Sequence, residues 1–71
     1  MKVLVTEVMW EEGLVELKRL GFDVHYVPHL WDDRGALLSR VNDVDALIVR
    51  NQTKVDKELL EKASELKVIG R

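Results

Sequence analysis

The chain contains no cysteine, one proline, four glycines and only 6% aromatic residues. Without cysteine it can form neither a disulfide framework nor a thiolate metal site. With so little proline and glycine it has no linker, repeat or low-complexity tract, so its 71 residues make one domain at most. The longest apolar run, Ala46-Leu47-Ile48-Val49, is far short of the roughly 20 residues that a membrane helix needs. A basic excess is missing too. Lys and Arg number 11 against 13 Asp and Glu, a net charge of -2, which argues against nucleic acid as a partner. The N-terminal run from Met1 meets an acid at Glu7 before any signal-peptide core can form. A soluble, cytoplasmic protein without a membrane role is the expectation. A chain this short buries only about 60% of its unfolded surface, so its margin of stability is small.

What is present is 46% apolar and regularly patterned. Val3-Leu4-Val5 reads as a strand buried on both faces. Glu11 to Leu20 follows as a helix, with Leu14, Leu17 and Leu20 at helical spacing and Gly21 as its stop. Phe22 to Val27 alternates as a strand and ends at Pro28. Asp32 or Asp33 can cap a second helix with an apolar stripe of Leu37, Leu38 and Val41. Ala46 to Val49 is a third strand. Asp56 caps a third helix with Leu59, Leu60, Ala63 and Leu66 inward, and Glu58 is spaced to pair with Lys62. Lys67 to Gly70 is a fourth strand. The order β-α-β-α-β-α-β predicts a doubly wound parallel sheet with helices on both faces, although it leaves the strand order open.

In such sheets ligands sit beyond the carboxyl ends of the strands. The third strand ends in Arg50-Asn51-Gln52-Thr53, the first in Thr6-Glu7 and the fourth in Arg71, so these groups converge on one rim. Arg50 offers a planar, always-charged fork that suits a phosphate, sulfonate or carboxylate; alternatively it is a solvated strand-end arginine. Asn51, Gln52 and Thr53 either donate to the same anion or satisfy backbone groups before the third helix. Glu7 groups with Glu11 and Glu12 as acids that complement a helix dipole. His25 and His29 flank Pro28 and read as surface or packing histidines rather than a metal pair. Trp10 and Trp31 are either packing residues or part of an exposed apolar patch. Gly13, Gly21, Gly35 and Gly70 are isolated, so no phosphate-cradling loop and no nucleophile-base pair can be assembled. A receiver-like regulatory module would place a phosphate-accepting aspartate where Arg50 stands.

Taken together, "KVLVTE", "EEGLVELKRLGFDVHY" and "DALIVRNQTKVDKELLEKASELKVIGR" resemble the N-terminal part of the D-isomer-specific 2-hydroxyacid dehydrogenases. The likeness is strongest to the 3-phosphoglycerate dehydrogenase-like branch. It implies a flavodoxin-like fold, with residues 1–71 forming the N-terminal part of the substrate-binding (catalytic) domain. It also implies that Arg50 and Asn51 bind the distal anionic group of a small substrate, and that Arg71 opens a glycine-rich loop whose amides hold substrate. The parent would be an oxidoreductase acting with NAD or NADP on a D-2-hydroxy acid carrying a second anion. The family's dinucleotide-binding domain and catalytic residues are absent, so residues 1–71 alone are expected to bind no cofactor and to be inactive. Asn51 stands where relatives often have serine and resembles the sulfolactate dehydrogenase-like members. Val8 and Trp10 replace the usual proline and capping serine, so the first helix is expected to start differently. A free-standing small α/β binding or regulatory module, or a piece made to study folding and assembly, is the alternative. The fourth strand's edge, Lys67 to Gly70, is expected to promote self-association as a two-fold dimer, opposed by the charges of Lys67 and Arg71.

Overall fold

Alternation in two short apolar strands generates the whole architecture. In the computed structural model, which describes residues 1–71, Val3 and Val5 face one layer and Leu4 faces the other. The elements are β1 (Lys2–Val5), α1 (Glu11–Arg19), β2 (Asp23–Tyr26), α2 (Arg34–Arg40), β3 (Ala46–Ile48), α3 (Lys57–Lys62) and β4 (Val68–Gly70). Short 3-10 turns at Leu30–Asp32 and Val41–Asp43 flank α2. All strand pairs are parallel, in the order β2-β1-β3-β4. This is the flavodoxin-like order over four strands, in which the chain steps from β1 to β2 on one side and then crosses to β3 on the other. The switch in direction falls between β1 and β3, whose register pairs Val3 with Ala46, Leu4 with Leu47 and Val5 with Ile48.

The two faces are filled unequally. Leu4, Leu47 and Val49 are buried against Leu37, Val41, Leu59 and Ala63 beneath α2 and α3. The opposite face has a smaller core of Val3, Val5 and Ala46, covered by Met9, Leu14 and Phe22. No residue of α1 is fully buried, and Leu20 is 62% exposed rather than inward, because α1 has only one sheet face to lie on and no second helix beside it. Leu60 is 49% exposed for a related reason: α3 is six residues long and turns only Leu59 directly to the core. No helix is long and apolar enough to cross a membrane.

Local signals set the boundaries. Asp33 caps α2 by accepting from the Ala36 amide at 3.2 Å, and Asp56 caps α3 by accepting from the Leu59 amide at 3.0 Å. Arg34 ties the two starts together, donating to Asp56 at 2.6 Å and to the Lys54 carbonyl at 2.7 Å. The same arginine draws Glu58 to within 3.7 Å, so the spaced Glu58–Lys62 pair does not form; Lys57 and Glu61 approach at 3.9 Å instead. The fourth strand begins at Val68 rather than Lys67, whose ammonium is held by Asp45 at 2.8 Å. Helix α1 has no side-chain cap: Trp10 opens it with its carbonyl, which accepts from Gly13 at 3.0 Å.

The exit from α1 depends on glycine. Phe22 N–H donates to the Leu17 carbonyl and Gly21 N–H to that of Lys18, the paired bonds of a Schellman turn. Gly21 has φ 92°, and a side chain there would meet no atom within 4 Å. The cost of substitution is therefore conformational rather than steric. Gly21→Ala is expected to lower the unfolding free energy by about 1 kcal/mol, whereas D-alanine introduced by chemical synthesis leaves it unchanged or raises it. Urea denaturation of the two variants checks this; equal losses would mean that crowding, not φ, sets the requirement.

Candidate functional site

The rim at the carboxyl ends of β1 and β3 is organised by one side chain. The β1–β3 ladder ends where Thr6 N–H donates to the Ile48 carbonyl at 3.2 Å. Beyond that point the amides of the departing chain have no strand partner, and buried donors must find an acceptor. Glu7, the next residue of β1's exit, supplies it. One carboxylate oxygen accepts from Arg50 N–H at 2.7 Å, Thr53 N–H at 2.8 Å and Thr53 Oγ1 at 2.6 Å; the other accepts from Gln52 N–H at 3.0 Å. Glu7 is only 4% exposed. Thr53 has one hydroxyl proton, and it is committed to the carboxylate. The 2.7 Å contact between Thr6 Oγ1 and Thr53 Oγ1 must then be donated by Thr6.

This arrangement corrects the dipole reading of Glu7. Its carboxylate does not complement the start of α1 but holds the Arg50–Thr53 loop. Burial pushes its pKa upward, yet the Thr53 hydroxyl and then the amides of Arg50, Thr53 and Gln52 outweigh that and bring it from 4.5 down to about 2. Of its two readings Thr53 takes the structural one, as a buried part of the frame.

With the amides of Arg50 and Gln52 turned inward, the side chains of Arg50, Asn51 and Gln52 are left exposed. Arg50 lies between two clefts. One, of about 380 Å³, is lined by Arg50 and Arg71 together with apolar Val8, Met9, Trp10 and Ile48. The other, of about 270 Å³, is lined by Arg50, Asn51, Gln52, His29 and Trp31, and by Glu7. The structure thus brings Arg50 to both remaining sequence-predicted residues, but it puts Arg71 and Asn51 on opposite sides of it. Neither Arg50 nor Arg71 takes part in an ion pair within the chain. His29 and Trp31 were not read from the sequence as site residues; only the loop after β2 passing over the same rim brings them there. His25 is instead on β2, 3.1 Å from Asp23. Trp10 is 77% exposed on the wall of the larger cleft, while Trp31 is half-buried.

The residues present do not suit a dinucleotide. A pyrophosphate-binding turn needs glycine backbone between first strand and first helix, whereas this turn has no glycine and carries the side chains of Val8, Met9 and Trp10, which line the larger cleft. No group of three or more His, Cys, Asp or Glu side chains is gathered to hold a metal.

A parallel sheet that reverses its order beside β1, with helices on both faces, defines an α/β domain of the doubly wound class, in which ligands generally sit at the carboxyl rim. The chain belongs to the D-isomer specific 2-hydroxyacid dehydrogenase family, whose catalytic-domain model matches residues 3–71. It is 45% identical over 69 residues to the (S)-sulfolactate dehydrogenase of Chromohalobacter salexigens, covering 97% of this chain and 22% of that protein. It is 40% identical over 70 residues to the D-3-phosphoglycerate dehydrogenase of Methanocaldococcus jannaschii, covering 99% of this chain and 13% of that one. A crystal structure of a Pyrococcus horikoshii protein superposes with a TM-score of 0.85 at 37% identity, over 96% of this chain and 20% of the other. A Thermus thermophilus crystal structure gives 0.85 at 33% identity, over 97% and 22%. The chain spans less than a quarter of the length of each of these proteins.

The buried carboxylate gives a pH test. Unfolded, Glu7 titrates near 4.5; folded, it stays charged down to about pH 2. Its contribution is complete above about pH 5 and is lost as pH falls through that window, because the unfolded chain takes up the proton first. That lowering corresponds to about 3 kcal/mol at most, and about 2 kcal/mol is expected because the amide bonds of Arg50 and Gln52 are only part-buried. Glu7→Gln is expected to lose about 2 kcal/mol at pH 7 and to flatten the stability profile between pH 5 and 3. Denaturant titrations at these pH values check it; an unchanged slope in the variant would place the acid sensitivity elsewhere.

Proposed function

We propose that this chain supplies the distal-anion side of the substrate site in an NAD(P)-dependent oxidoreductase. Its substrate is a D-2-hydroxy acid that carries a second anionic group. The observation that carries the reading is Arg50: an arginine in no ion pair, at the switch point of the sheet, with its own main chain pinned from below by Glu7. A pinned backbone presents the guanidinium with less entropy to lose on binding. The fork then offers two parallel donors to a sulfonate, phosphate or carboxylate. Asn51 adds neutral donors on one side, and Arg71 a second cation on the other. The names of two relatives, (S)-sulfolactate dehydrogenase and D-3-phosphoglycerate dehydrogenase, describe substrates with such a second anion. The reaction would carry hydride from C2 of the hydroxy acid to the nicotinamide, release the hydroxyl proton and leave a 2-oxo acid. NAD or NADP would be held by a separate dinucleotide-binding domain, since the β1–α1 turn here has no glycine to let backbone approach a pyrophosphate. Residues 1–71 by themselves are then a fragment of the enzyme, without activity.

Arg50→Ala, made in the longer protein that carries this chain, is expected to weaken kcat/KM for a phosphate- or sulfonate-bearing 2-hydroxy acid by about ten-fold to a hundred-fold. The loss for an unsubstituted 2-hydroxy acid should be much smaller. Equal losses for the two substrates would show that Arg50 is structural. Calorimetric titration of residues 1–71 with NAD and NADP is expected to show no saturable binding; a micromolar site in this chain would refute the division of labour.

The partner reading adds self-association. Strand β4 pairs only with β3, and Val68 on it is 52% exposed beside an apolar hollow of about 220 Å³ lined by Met1, Phe22 and Ile48. An unpaired edge next to exposed apolar surface is a template for a second chain. Sedimentation equilibrium of residues 1–71 is expected to give a dimer mass; a monomer mass persisting to millimolar concentration contradicts it.

A further inference from the structure

We infer that Glu7 is a positioning residue for anion selectivity: it occupies the backbone amide nest at the rim, so that the distal anion of substrate is directed to the Arg50 guanidinium. The inference rests on the reading of Arg50 just given.

The amides of Arg50, Gln52 and Thr53 converge on one point, within 2.7, 3.0 and 2.8 Å of carboxylate oxygens. Three convergent N–H groups with a hydroxyl at 2.6 Å form the kind of concavity that binds phosphate or sulfate. Here the anion is internal. Because its acceptors are filled by the loop itself, Glu7 does two things at once. It fixes the main chain from which the Arg50 and Asn51 side chains leave. It also removes from the rim a competing anion site set deeper than the guanidinium. The hydroxyl chain from Thr6 through Thr53 to Glu7 makes the lock directional, since each hydroxyl has a single proton and both are assigned. Glu7 lines both clefts next to Arg50, so release of the loop would be felt on either side.

The test uses the longer protein that carries this chain, with Glu7→Gln as the first variant. The glutamine keeps the length and loses the charge, and its amide nitrogen opposes the donors around it. KM for the phosphate- or sulfonate-bearing substrate is expected to rise about ten-fold, while kcat changes less than about three-fold and KM for an unsubstituted 2-hydroxy acid stays within about two-fold. With Glu7→Ala, the emptied nest should accept a small anion, and millimolar acetate is expected to restore part of the lost KM. If Glu7→Gln does not fold, Thr53→Val, which keeps the carboxylate and the amide bonds, should give a split in the same direction of about two- to three-fold. KM values that rise equally for both substrates, or stay unchanged while only the thermal midpoint falls, overturn the inference. Two failures remain distinguishable. If Arg50→Ala discriminates between the substrates and the Glu7 variants do not, the positioning role alone is wrong. If Arg50→Ala does not discriminate, the anion reading falls and this inference falls with it.

Discussion

A parallel β pair must end somewhere, and at its carboxyl end the departing amides need an acceptor. In this chain that need is met by the Glu7 carboxylate, which takes four donors from the Arg50–Thr53 loop. The amino end of the same β1–β3 pair has a matching device. Asp45 accepts from Lys2 N–H and from the Lys67 ammonium, each at 2.8 Å. The two clamps are not equivalent. Asp45 lies partly in solvent, and water can replace what its loss would remove. Glu7 is enclosed, so its removal leaves the buried amide and hydroxyl of Thr53, and the part-buried amides of Arg50 and Gln52, without partners, which is more costly. The end where we propose the substrate's anion binds is therefore also the end that tolerates least change beneath it.

Elements governed by local chemistry were legible from sequence. The Asp56 cap, one of the two aspartates offered for α2, the glycine exit after α1 and the short apolar strands all act over a few residues, and the structure has each of them, with strand ends shifted by a residue. What the pattern missed depends on partners distant in sequence. Thr53 meets Glu7 across 46 positions, and no helical or strand period marks such a pair. Leu20 and Leu60 fit the apolar spacing of their helices, yet spacing says nothing of how many neighbours a helix has; α1 lies on a face with a single helix and α3 is short. Glu58 had Lys62 at the right interval but a stronger competitor in Arg34, already fixed by Asp56 and the Lys54 carbonyl.

The rim shows the same division. That Arg50, Arg71 and the first strand's exit share one edge follows from the βα alternation alone. That Arg50 separates a mainly apolar cleft from a polar one follows only from the sheet order and from the loop that carries His29 and Trp31 over β1. The acidic residue after a strand, followed by a strand exit rich in polar side chains, was the available signal for Glu7. It was outweighed by Glu11 and Glu12 nearby, which do sit in the first turn of α1 where acids complement the dipole.

On the proposed reading, frame and specificity fall to different atoms of the same few residues. At position 50 the amide serves the frame and the guanidinium faces the clefts. Any residue except proline keeps that amide, so the side chain is free to vary with the anion without disturbing the loop. Lysine there would preserve the Glu7 bond and the charge but lose the planar fork. At position 51 neither the amide nor the side chain is bound to Glu7, so it is freer still. Positions 7 and 53 have no such freedom, because their side chains are themselves the frame and lie within the buried rim. If Arg50 and Asn51 bind the anion as proposed, substitution at 50 and 51 would change the group recognised while the loop beneath, held by one carboxylate and two hydroxyls, stays the same.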